Sequence, residues 1–217
     1  MSSDPTLRIT EIFLSIQGEA RSAGRPTVFV RLTGCPLRCH YCDSEYAFEG
    51  GKRMTLAAIV QRVVDFRAAY VCVTGGEPLA QPDCWPLLRL LCDHGLNVSL
   101  ETSGALSIEA IDNRVHIVMD LKTPMSGEVS RNNYYNIDRL RPRDQLKFVI
   151  SNRQDYQWAS LKLSEYRLAD RVDDIWFSPC YDQINPAELA QWILDDRLNV
   201  RFQLQLHKII WGDLPGR

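Results

Sequence analysis

Short segments rich in β-branched and aromatic residues alternate with segments of helical periodicity along most of this 217-residue chain. We predict strands at Thr27–Leu32, Tyr70–Thr74, Asn97–Leu100, Ile117–Leu121, Gln145–Ile150, Ile175–Ser178 and Val200–Leu206. Strands that alternate with helices form parallel βα units, and crossovers of one hand curl such units into an open or closed barrel. About six or seven strands are too few for the usual eight-stranded barrel. The pattern therefore predicts an α/β fold built as a partial (βα)6-type barrel.

Four segments between these strands carry apolar residues at helical spacing. We predict helices at Thr55–Phe66, Cys84–His94, Asp155–Leu168 and Pro186–Asp196. Thr55 is the expected N-cap of the first helix and Asn185 that of the last, while Gly95 is the expected C-cap of the second. By contrast, the segment Pro124–Asn136 is rich in Ser, Gly and Asn, and we predict an extended surface loop there.

The composition is that of a globular protein, with 45% hydrophobic and 24% charged residues. A net charge of −2 gives no basic excess that would indicate nucleic-acid binding. Residues Met1–Glu11 lack the apolar segment of a signal peptide, and no apolar run approaches the roughly 20 residues that span a bilayer. We therefore expect a single cytoplasmic domain over residues 1–217 that acts on a small molecule, with neither nucleic acid nor a membrane as its partner.

Three of the seven cysteines, Cys35, Cys39 and Cys42, lie close together, and the other four are scattered. An odd count with one tight cluster does not predict a disulfide framework. In a reducing cytosol, clustered cysteines bind metal or react, whereas isolated cysteines serve as small apolar core residues. We predict that Cys72 and Cys92 belong to the core.

The clustered cysteines have the spacing C-x3-C-x2-C, in a loop directly after the first predicted strand. Three thiolates in a tight loop can ligate three corners of a cubane iron–sulfur cluster, and the missing fourth ligand leaves one iron open. A zinc site is the main alternative, but structural zinc takes four protein ligands, and no second Cys or His pair is visible in the sequence. His40 adjoins Cys39 on the tight loop and is expected to point away from a metal.

A second motif, Thr74-Gly75-Gly76-Glu77-Pro78, follows the next predicted strand. Together with the cysteine spacing and the aromatic Tyr41 before the last cysteine, it resembles the radical S-adenosylmethionine superfamily. The resemblance implies a 4Fe–4S cluster whose open iron binds S-adenosylmethionine and cleaves it to a 5'-deoxyadenosyl radical. In that setting the two glycines let the backbone approach the methionine moiety, and Glu77 can accept a hydrogen bond from its ammonium group.

Polar residues at further strand ends are expected on the same face, because the C-terminal strand ends of βα barrels form the active site. They lie in Glu101-Thr102-Ser103-Gly104, Asp120-Leu121-Lys122-Thr123-Pro124 and Ser178-Pro179. Helix capping and turn formation also account for Ser and Thr at such positions. For Glu101 and Lys122, which end apolar strands, we favour a functional role, and we include Ser103 and Ser178 among the candidates for cofactor binding.

Motifs near the two ends of the chain narrow the family. The first runs from Glu11 to Glu19 and continues at Gly24–Leu32, and the last runs from Gln205 to Gly212. Together with Cys42-Asp43-Ser44 they resemble the 7-carboxy-7-deazaguanine synthase family. The resemblance implies ring contraction of 6-carboxy-5,6,7,8-tetrahydropterin to 7-carboxy-7-deazaguanine with release of ammonia, on the route to 7-deazapurines such as queuosine.

The family resemblance places the pterin contacts near both ends of the chain and on two strands. The candidates are Ile16, Gln17, Gly18, Glu19, Arg31, Thr74, His207 and Arg217. A pterin edge offers amide-like and guanidine-like groups with which Gln17 and Glu19 can pair, and Arg31 can bind a carboxylate in bidentate fashion. His207 is expected at the end of the final strand, beside the terminal carboxylate of Arg217.

The resemblance also assigns the remaining cofactor contacts, to Tyr41, Cys42, Asp43, Gly76 and the stretch Asp120-Leu121-Lys122. Family members carry Ser-Pro-Lys at that stretch, so only Lys122 matches, and the roles of Asp120 and Leu121 stay open. Mg²⁺ would bind at Ser44. Because a single hydroxyl is a poor magnesium site, the substrate carboxylate and waters must complete its octahedron of oxygens.

The family is further expected to use S-adenosylmethionine catalytically, to receive electrons from a flavodoxin-like donor and to form homodimers. Two other functions share parts of the pattern. A radical-generating activase, which makes a glycyl radical on a partner protein, would present a protein-docking surface in place of a pterin pocket. A zinc-binding structural or regulatory module would need no cofactor chemistry. The Gln17-Gly18-Glu19 motif and residues 207–212 favour the small-molecule enzyme.

Replacing any one of Cys35, Cys39 or Cys42 with alanine is expected to abolish cluster assembly and activity, because the site has only three protein ligands. Iron content and the anaerobic visible spectrum measure the effect. As controls, Cys72→Ala and Cys92→Ala should keep their iron and mainly weaken packing. Full iron loading of a Cys39→Ala protein would contradict the assignment.

Overall fold

The computed structural model describes residues 4–212 together with Leu214 and Gly216. Its strands are β1 Thr6–Ile16, β2 Pro26–Leu32, β3 Lys52–Thr55, β4 Tyr70–Gly75, β5 Asn97–Thr102, β6 His116–Asp120, β7 Gln145–Ile150, β8 Asp174–Pro179 and β9 Arg201–Phe202. In the described residues they form one sheet of nine strands, ordered β3-β1-β2-β4-β5-β6-β7-β8-β9. From β2 to β9 along this order, every neighbouring pair is parallel, whereas β1 is antiparallel to both β2 and β3. The series of parallel strands confirms the predicted α/β fold.

Helices connect most of the parallel strands. The connecting helices are α1 Leu56–Asp65, α2 Cys84–Asp93, α3 Arg153–Glu165 and α4 Pro186–Asp195, and α5 Leu206–Trp211 follows β9. The Thr55 hydroxyl accepts a hydrogen bond from Ala58 N at 3.2 Å, which confirms the predicted N-cap of α1. Asn185 caps α4 in the same way. α3 begins two residues earlier than predicted because the Asn152 side chain caps it. None of the helices in the described part of the chain has the length and apolar character that a membrane-spanning helix requires.

The core lies between the sheet and the helices that cover it. Leu87, Leu88 and Leu91 of α2 are fully buried, as are Val71 and Val73 of β4. Cys72 and Cys92 are both buried, as expected of isolated cysteines. Burial of such side chains supplies most of the stabilisation that holds helices onto a sheet.

The sheet extends beyond the predicted strands at its N-terminal edge. β1 and β3 were not among the strands that the sequence predicts, although Leu7 and Ile9 of β1 are buried and their neighbours are partly exposed. That alternation is the usual signal of a strand with one covered face. β1 and β3 add an antiparallel edge to the parallel series.

The final predicted strand, Val200–Leu206, is wrong over most of its length, since β9 ends at Phe202. After β9 the Gln203 side chain exchanges two hydrogen bonds with the backbone of Ala20, and Leu206 N donates to Gly18 O at 3.0 Å. The chain thus pairs with a loop instead of a strand and then forms α5. His207 consequently lies in the first turn of α5 and not at a strand end.

The segment Pro124–Asn136 is also more ordered than the predicted extended loop. Short 3₁₀ helices occupy Pro124–Ser126 and Val129–Arg131, and another begins at Tyr134. The buried Asn136 donates to Gly104 O at 2.9 Å, which fastens the segment across the end of β5. Backbone groups that would otherwise lie unpaired near the core are satisfied by these bonds.

The loop between β1 and β2, residues 17–25, packs against the C-terminal strands and joins the two ends of the chain. Arg21 Nε donates to Asp174 of β8 at 2.6 Å, and Arg21 N donates to Gln145 of β7. Gly18 lies directly against His207, so close that an added Cβ would collide with the imidazole ring and lie 2.9 Å from His207 N. The absence of a side chain at Gly18 is therefore a condition for this docking.

Gly18→Ala is expected to lower the free energy of unfolding by about 1–3 kcal/mol, because α5 must move to admit the methyl group. Thermal or urea unfolding measures the loss. Truncating the ring in a Gly18→Ala/His207→Ala protein should recover part of it, because one of the two collisions then disappears. Equal stability of Gly18→Ala and the parent would show that the loop tolerates the displacement.

Candidate active site

The C-terminal ends of the parallel strands surround a cavity of about 470 Å³. This is the face on which βα barrels carry their active sites. The sequence-predicted candidates that line it are Ile16, Gln17, Glu19, Arg31, Cys35, Cys39, Tyr41, Cys42, Asp43, Ser44, Thr74, Gly76, Glu101, Ser103, Asp120, Lys122 and His207. Residues that are up to about 190 positions apart in the chain, such as Gln17 and His207, therefore meet in one place.

Four other candidates lie outside this lining, and the predicted contact of Arg217 falls outside the described residues. Leu121 is 1% exposed and belongs to the core, and Ser178 is buried, with no hydrogen-bond partner for its hydroxyl among the described residues. Gly18 lies beneath His207. Ser178 lies on β8, where alternate residues point to opposite faces of the sheet, and Gly18 is covered by the His207 ring.

Glu77 is the fourth candidate outside the lining. Its carboxylate is fully buried and accepts hydrogen bonds from Leu79 N, Thr102 Oγ1, and both the backbone nitrogen and the hydroxyl of Ser103. The expected contact with a ligand ammonium group is therefore replaced by contacts inside the protein. Glu77 joins the loop after β4 to the end of β5.

The cysteine loop packs against the loop after β4. Glu77 N donates to Gly34 O at 2.9 Å, and an added Cβ at Gly76 would lie 2.7 Å from the Cβ of Cys35 and still closer to Gly34 O. No side chain larger than hydrogen fits at Gly76. The two loops thus form a cradle in which backbone groups lie next to the cysteines.

The three cysteines are half-buried and line the same cavity. Burial raises the pKa of the Cys39 thiol to about 11, although Lys122 opposes the shift. His40 faces elsewhere, with its ring against Gly127, as expected for a residue next to a ligand.

Within the described residues, no three His, Cys, Asp or Glu side chains converge closely enough to hold a single metal ion. Three thiols on one loop beside an open cavity fit the larger cubane cluster, with one iron left accessible.

Asp120 and Lys122 form a second polar group at the end of β6. Lys122 Nζ donates to Asp120 Oδ2 at 2.9 Å, and the Asn132 side chain bonds both the backbone nitrogen and the carbonyl of Lys122. Burial works to lower the pKa of Lys122, but Asp120 outweighs it and the pKa rises, so the lysine stays charged. The buried Oδ1 of Asp120 has no hydrogen-bond partner among the described residues. An unpaired acceptor beside the cavity is suited to a hydroxyl or amino group of a ligand.

A third polar group in the cavity lining centres on Glu19. Lys147 Nζ donates to Glu19 Oε2 at 2.5 Å, and Gln205 Nε2 donates to Oε1 at 2.6 Å. Burial favours protonation of Glu19, but the charge and hydrogen bond of Lys147 prevail and lower its pKa to about 2. Burial instead raises the pKa of the neighbouring Glu101, which accepts a long hydrogen bond from Gln17. Glu19 is therefore anionic at neutral pH and held by two donors.

Arg31 completes the polar lining beside Asp43 and Ser44. Its Nε donates to Glu11 Oε1 at 2.7 Å, and Glu11 itself lies outside the lining. The Ser44 hydroxyl donates to Asp43 Oδ1 at 2.7 Å, which leaves the lone pairs of the hydroxyl oxygen available.

Comparison with known proteins identifies the family. Residues 29–124 match the radical SAM superfamily. A curated relative from Chlorobaculum tepidum, named 7-carboxy-7-deazaguanine synthase, is 45% identical to this chain, and the match covers 98% of this chain and 97% of the relative. The chain belongs to the 7-carboxy-7-deazaguanine synthase family. A relative of the same name from Koribacter versatilis is 40% identical, with 94% of this chain and 97% of the relative covered.

The fold agrees with that assignment. The crystal structure of QueE from Escherichia coli superimposes with a TM-score of 0.72, covering 93% of this chain and 95% of that chain at 21% sequence identity. The expected family and the expected partial barrel are both confirmed.

Several residues of the lining were not among the site candidates that the sequence of this family member predicts. They are Phe13, Phe29, Lys147, Cys180, Tyr181, Gln205 and Lys208, among others. Phe13 and Phe29 are stacked cross-strand partners whose ring centroids lie 5.1 Å apart. Lys147 had a detectable signal, because it is a charged residue between Leu146 and Phe148 in an apolar strand. The two phenylalanines have the pattern of ordinary strand residues and give no such signal.

Lys147→Met is expected to destabilise the protein by about 3–5 kcal/mol at neutral pH, because it leaves the buried Glu19 carboxylate without its cation. In the parent, the Glu19 pKa of about 2 lies below its ordinary value of 4.5, so this pair stabilises the fold above 4.5 and ceases to do so as the pH falls toward 2. In the variant, unopposed burial raises that pKa. The stability deficit should therefore be larger at about pH 8 than at about pH 5 in urea unfolding.

A Lys147→Met/Glu19→Gln protein is the matched control, since it removes the uncompensated charge and should recover most of the lost stability. A deficit of the same size at both pH values would contradict the coupling between Lys147 and Glu19.

Proposed function

We propose that this protein catalyses the radical-mediated ring contraction of 6-carboxy-5,6,7,8-tetrahydropterin to 7-carboxy-7-deazaguanine with release of ammonia. Membership of the 7-carboxy-7-deazaguanine synthase family supports the proposal. The observation that carries it is the meeting of the cysteine loop with the motifs from both chain ends around one cavity. A cavity of about 470 Å³ is in the range of small-molecule sites.

Cys35, Cys39 and Cys42 would hold the 4Fe–4S cluster. When bound, the cluster and S-adenosylmethionine supply a 5'-deoxyadenosyl radical that takes hydrogen from the substrate. The neighbouring cradle at Gly76 lets backbone groups approach the methionine moiety of the cofactor. Asp120 Oδ1, which has no partner in the part of the chain that the structure describes, would accept a hydrogen bond from a hydroxyl or amino group of the same molecule.

The pterin would occupy the side of the cavity lined by Gln17, Glu19 and Arg31. Glu19, kept anionic by Lys147, and Gln17 would pair with the N–H groups of the ring edge. Arg31 would bind the carboxylate. Gln17 and Glu19 are both less than 10% exposed, so water competes little for these contacts.

Mg²⁺ would bind at Ser44, together with the substrate carboxylate and waters. The hydrogen bond from the Ser44 hydroxyl to Asp43 directs the proton away and leaves the oxygen free to ligate a hard cation.

A flavodoxin-like protein is the proposed electron donor. A homodimer and a cytoplasmic location are proposed from the family resemblance. The activase alternative is not favoured, because buried charged pairs in a cavity are suited to a small molecule and not to a docked protein loop.

The reaction is tested by anaerobic incubation with reductant, S-adenosylmethionine, Mg²⁺ and the carboxytetrahydropterin, followed by mass spectrometry. The expected product is 7-carboxy-7-deazaguanine. In the same assay, Ser44→Ala should weaken the response to Mg²⁺ by about tenfold or more, with unchanged iron content and unchanged cofactor cleavage in the absence of substrate.

Ser164→Ala, which removes an exposed hydroxyl on α3, is the control. No product from a fully iron-loaded protein would overturn the proposed function, and an unaltered Mg²⁺ response in Ser44→Ala would remove Ser44 from the metal site.

A further inference from the structure

Glu11 and Arg31 face each other across the antiparallel pair of β1 and β2. They are direct partners in the strand register, and that register shifts between Ile9 and Glu11, as at a β-bulge. Bulges re-aim the side chains that follow them. Arg31 lines the cavity and Glu11 does not, so Glu11 approaches the guanidinium from outside the ligand space.

The geometry of the pair leaves one edge of the guanidinium available. Glu11 Oε1 accepts from Arg31 Nε at 2.7 Å, and this is the only hydrogen bond of the Arg31 side chain to a described residue. A guanidinium has five N–H donors in a rigid fork, so the two Nη atoms keep theirs. A carboxylate can bind such an end in bidentate fashion.

Tyr46 holds Glu11 in place. Its hydroxyl donates to the same Glu11 oxygen at 2.8 Å, and its ring lies near the guanidinium, with 5.7 Å between Arg31 Cζ and the ring centroid. Tyr46 is 47% exposed and lies outside the cavity lining. Glu11 therefore has two donors on one oxygen, which restricts its rotamer and, through it, that of Arg31.

We propose that Glu11 is a positioning residue: it fixes the direction of the Arg31 guanidinium so that both Nη atoms face the substrate carboxylate, and it thereby selects a carboxylated pterin. This inference rests on the proposed function, in which Arg31 binds that carboxylate. Without Glu11, the flexible arginine side chain would have to be ordered by the substrate itself, at a cost in binding free energy.

If Glu11 acts only as a charge, its removal is expected to change the affinity for the substrate carboxylate in the opposite direction. A carboxylate at 2.7 Å from Arg31 partly neutralises it, so removing Glu11 would then strengthen the binding of an anionic ligand. Positioning predicts weaker binding, and the sign of the change separates the two roles.

The test is equilibrium binding of two probes to the anaerobic holoenzyme, 6-carboxypterin and pterin, which lacks the carboxylate. Glu11→Ala should raise the Kd of 6-carboxypterin about tenfold, equivalent to about 1.4 kcal/mol, and change the Kd of pterin less than about twofold. Glu11→Gln keeps an acceptor for Arg31 Nε and should restore most of the affinity. In turnover, Glu11→Ala should raise KM more than it lowers kcat.

Arg31→Ala and the Glu11→Ala/Arg31→Ala double variant complete a double-mutant cycle with Glu11→Ala. Glu11→Ala should have no further effect once Arg31 is absent. If Arg31→Ala leaves the preference for 6-carboxypterin unchanged, the carboxylate contact in the proposed function is wrong. If Arg31→Ala abolishes the preference but Glu11→Ala keeps or increases it, only the positioning role is overturned.

Tyr46→Phe covers the case in which Glu11→Ala fails to fold. It removes one hydroxyl from a half-exposed ring and should weaken 6-carboxypterin binding about two- to threefold while leaving pterin binding unchanged. Unchanged binding of both probes in Tyr46→Phe, together with an unfolded Glu11→Ala protein, would show that Glu11 serves the fold and not recognition.

Discussion

The buried carboxylate of Glu77 is the contact on which the architecture of the site depends. A carboxylate with no exposed surface is costly unless donors satisfy it, and here Thr102, Ser103 and Leu79 do so. The backbone nitrogen of Glu77 also donates a hydrogen bond to Gly34 O, at the start of the cysteine loop. One residue thus fixes the relative position of three strand ends, and the glycines on either side of this junction allow the backbones to touch.

The charges around the cavity are arranged as pairs. Lys122 with Asp120, Lys147 with Glu19 and Arg31 with Glu11 each join a cation to a carboxylate at hydrogen-bonding distance. Pairing makes it possible to bury these groups, since an isolated buried charge would be strongly destabilising. The pair of Lys122 and Asp120 also leaves hydrogen-bonding capacity unused, since Asp120 Oδ1 has no partner among the described residues. A cavity of this kind can bind charged ligands although the paired side chains of its lining carry little net charge.

Much of the fold followed from local pattern, because βα alternation and helix caps act over a few residues. Thr55 and Asn185 cap the helices they were expected to cap. The prediction failed where distant contacts decide the backbone: residues after Phe202 leave the sheet to pair with Ala20 and Gly18, and Asn136 folds an apparent loop onto β5. In the site, the cysteines and both terminal motifs were identified from sequence. The pairing of Lys147 with Glu19 and of Glu11 with Arg31 was missed, because these contacts appear only in the tertiary structure.

The sequence by itself determined the chemistry available to this protein: three cysteines at the spacing of an open cluster, a glycine pair after the next strand, and terminal motifs that are specific to one family. These are properties of residue type and spacing along the chain. Only the tertiary structure decided which candidates face the cavity. It buried Glu77, Leu121 and Ser178 away from the lining and brought Lys147 into it. The reason is geometric, since the direction of a side chain depends on strand pleat and on packing partners that can be more than a hundred residues away.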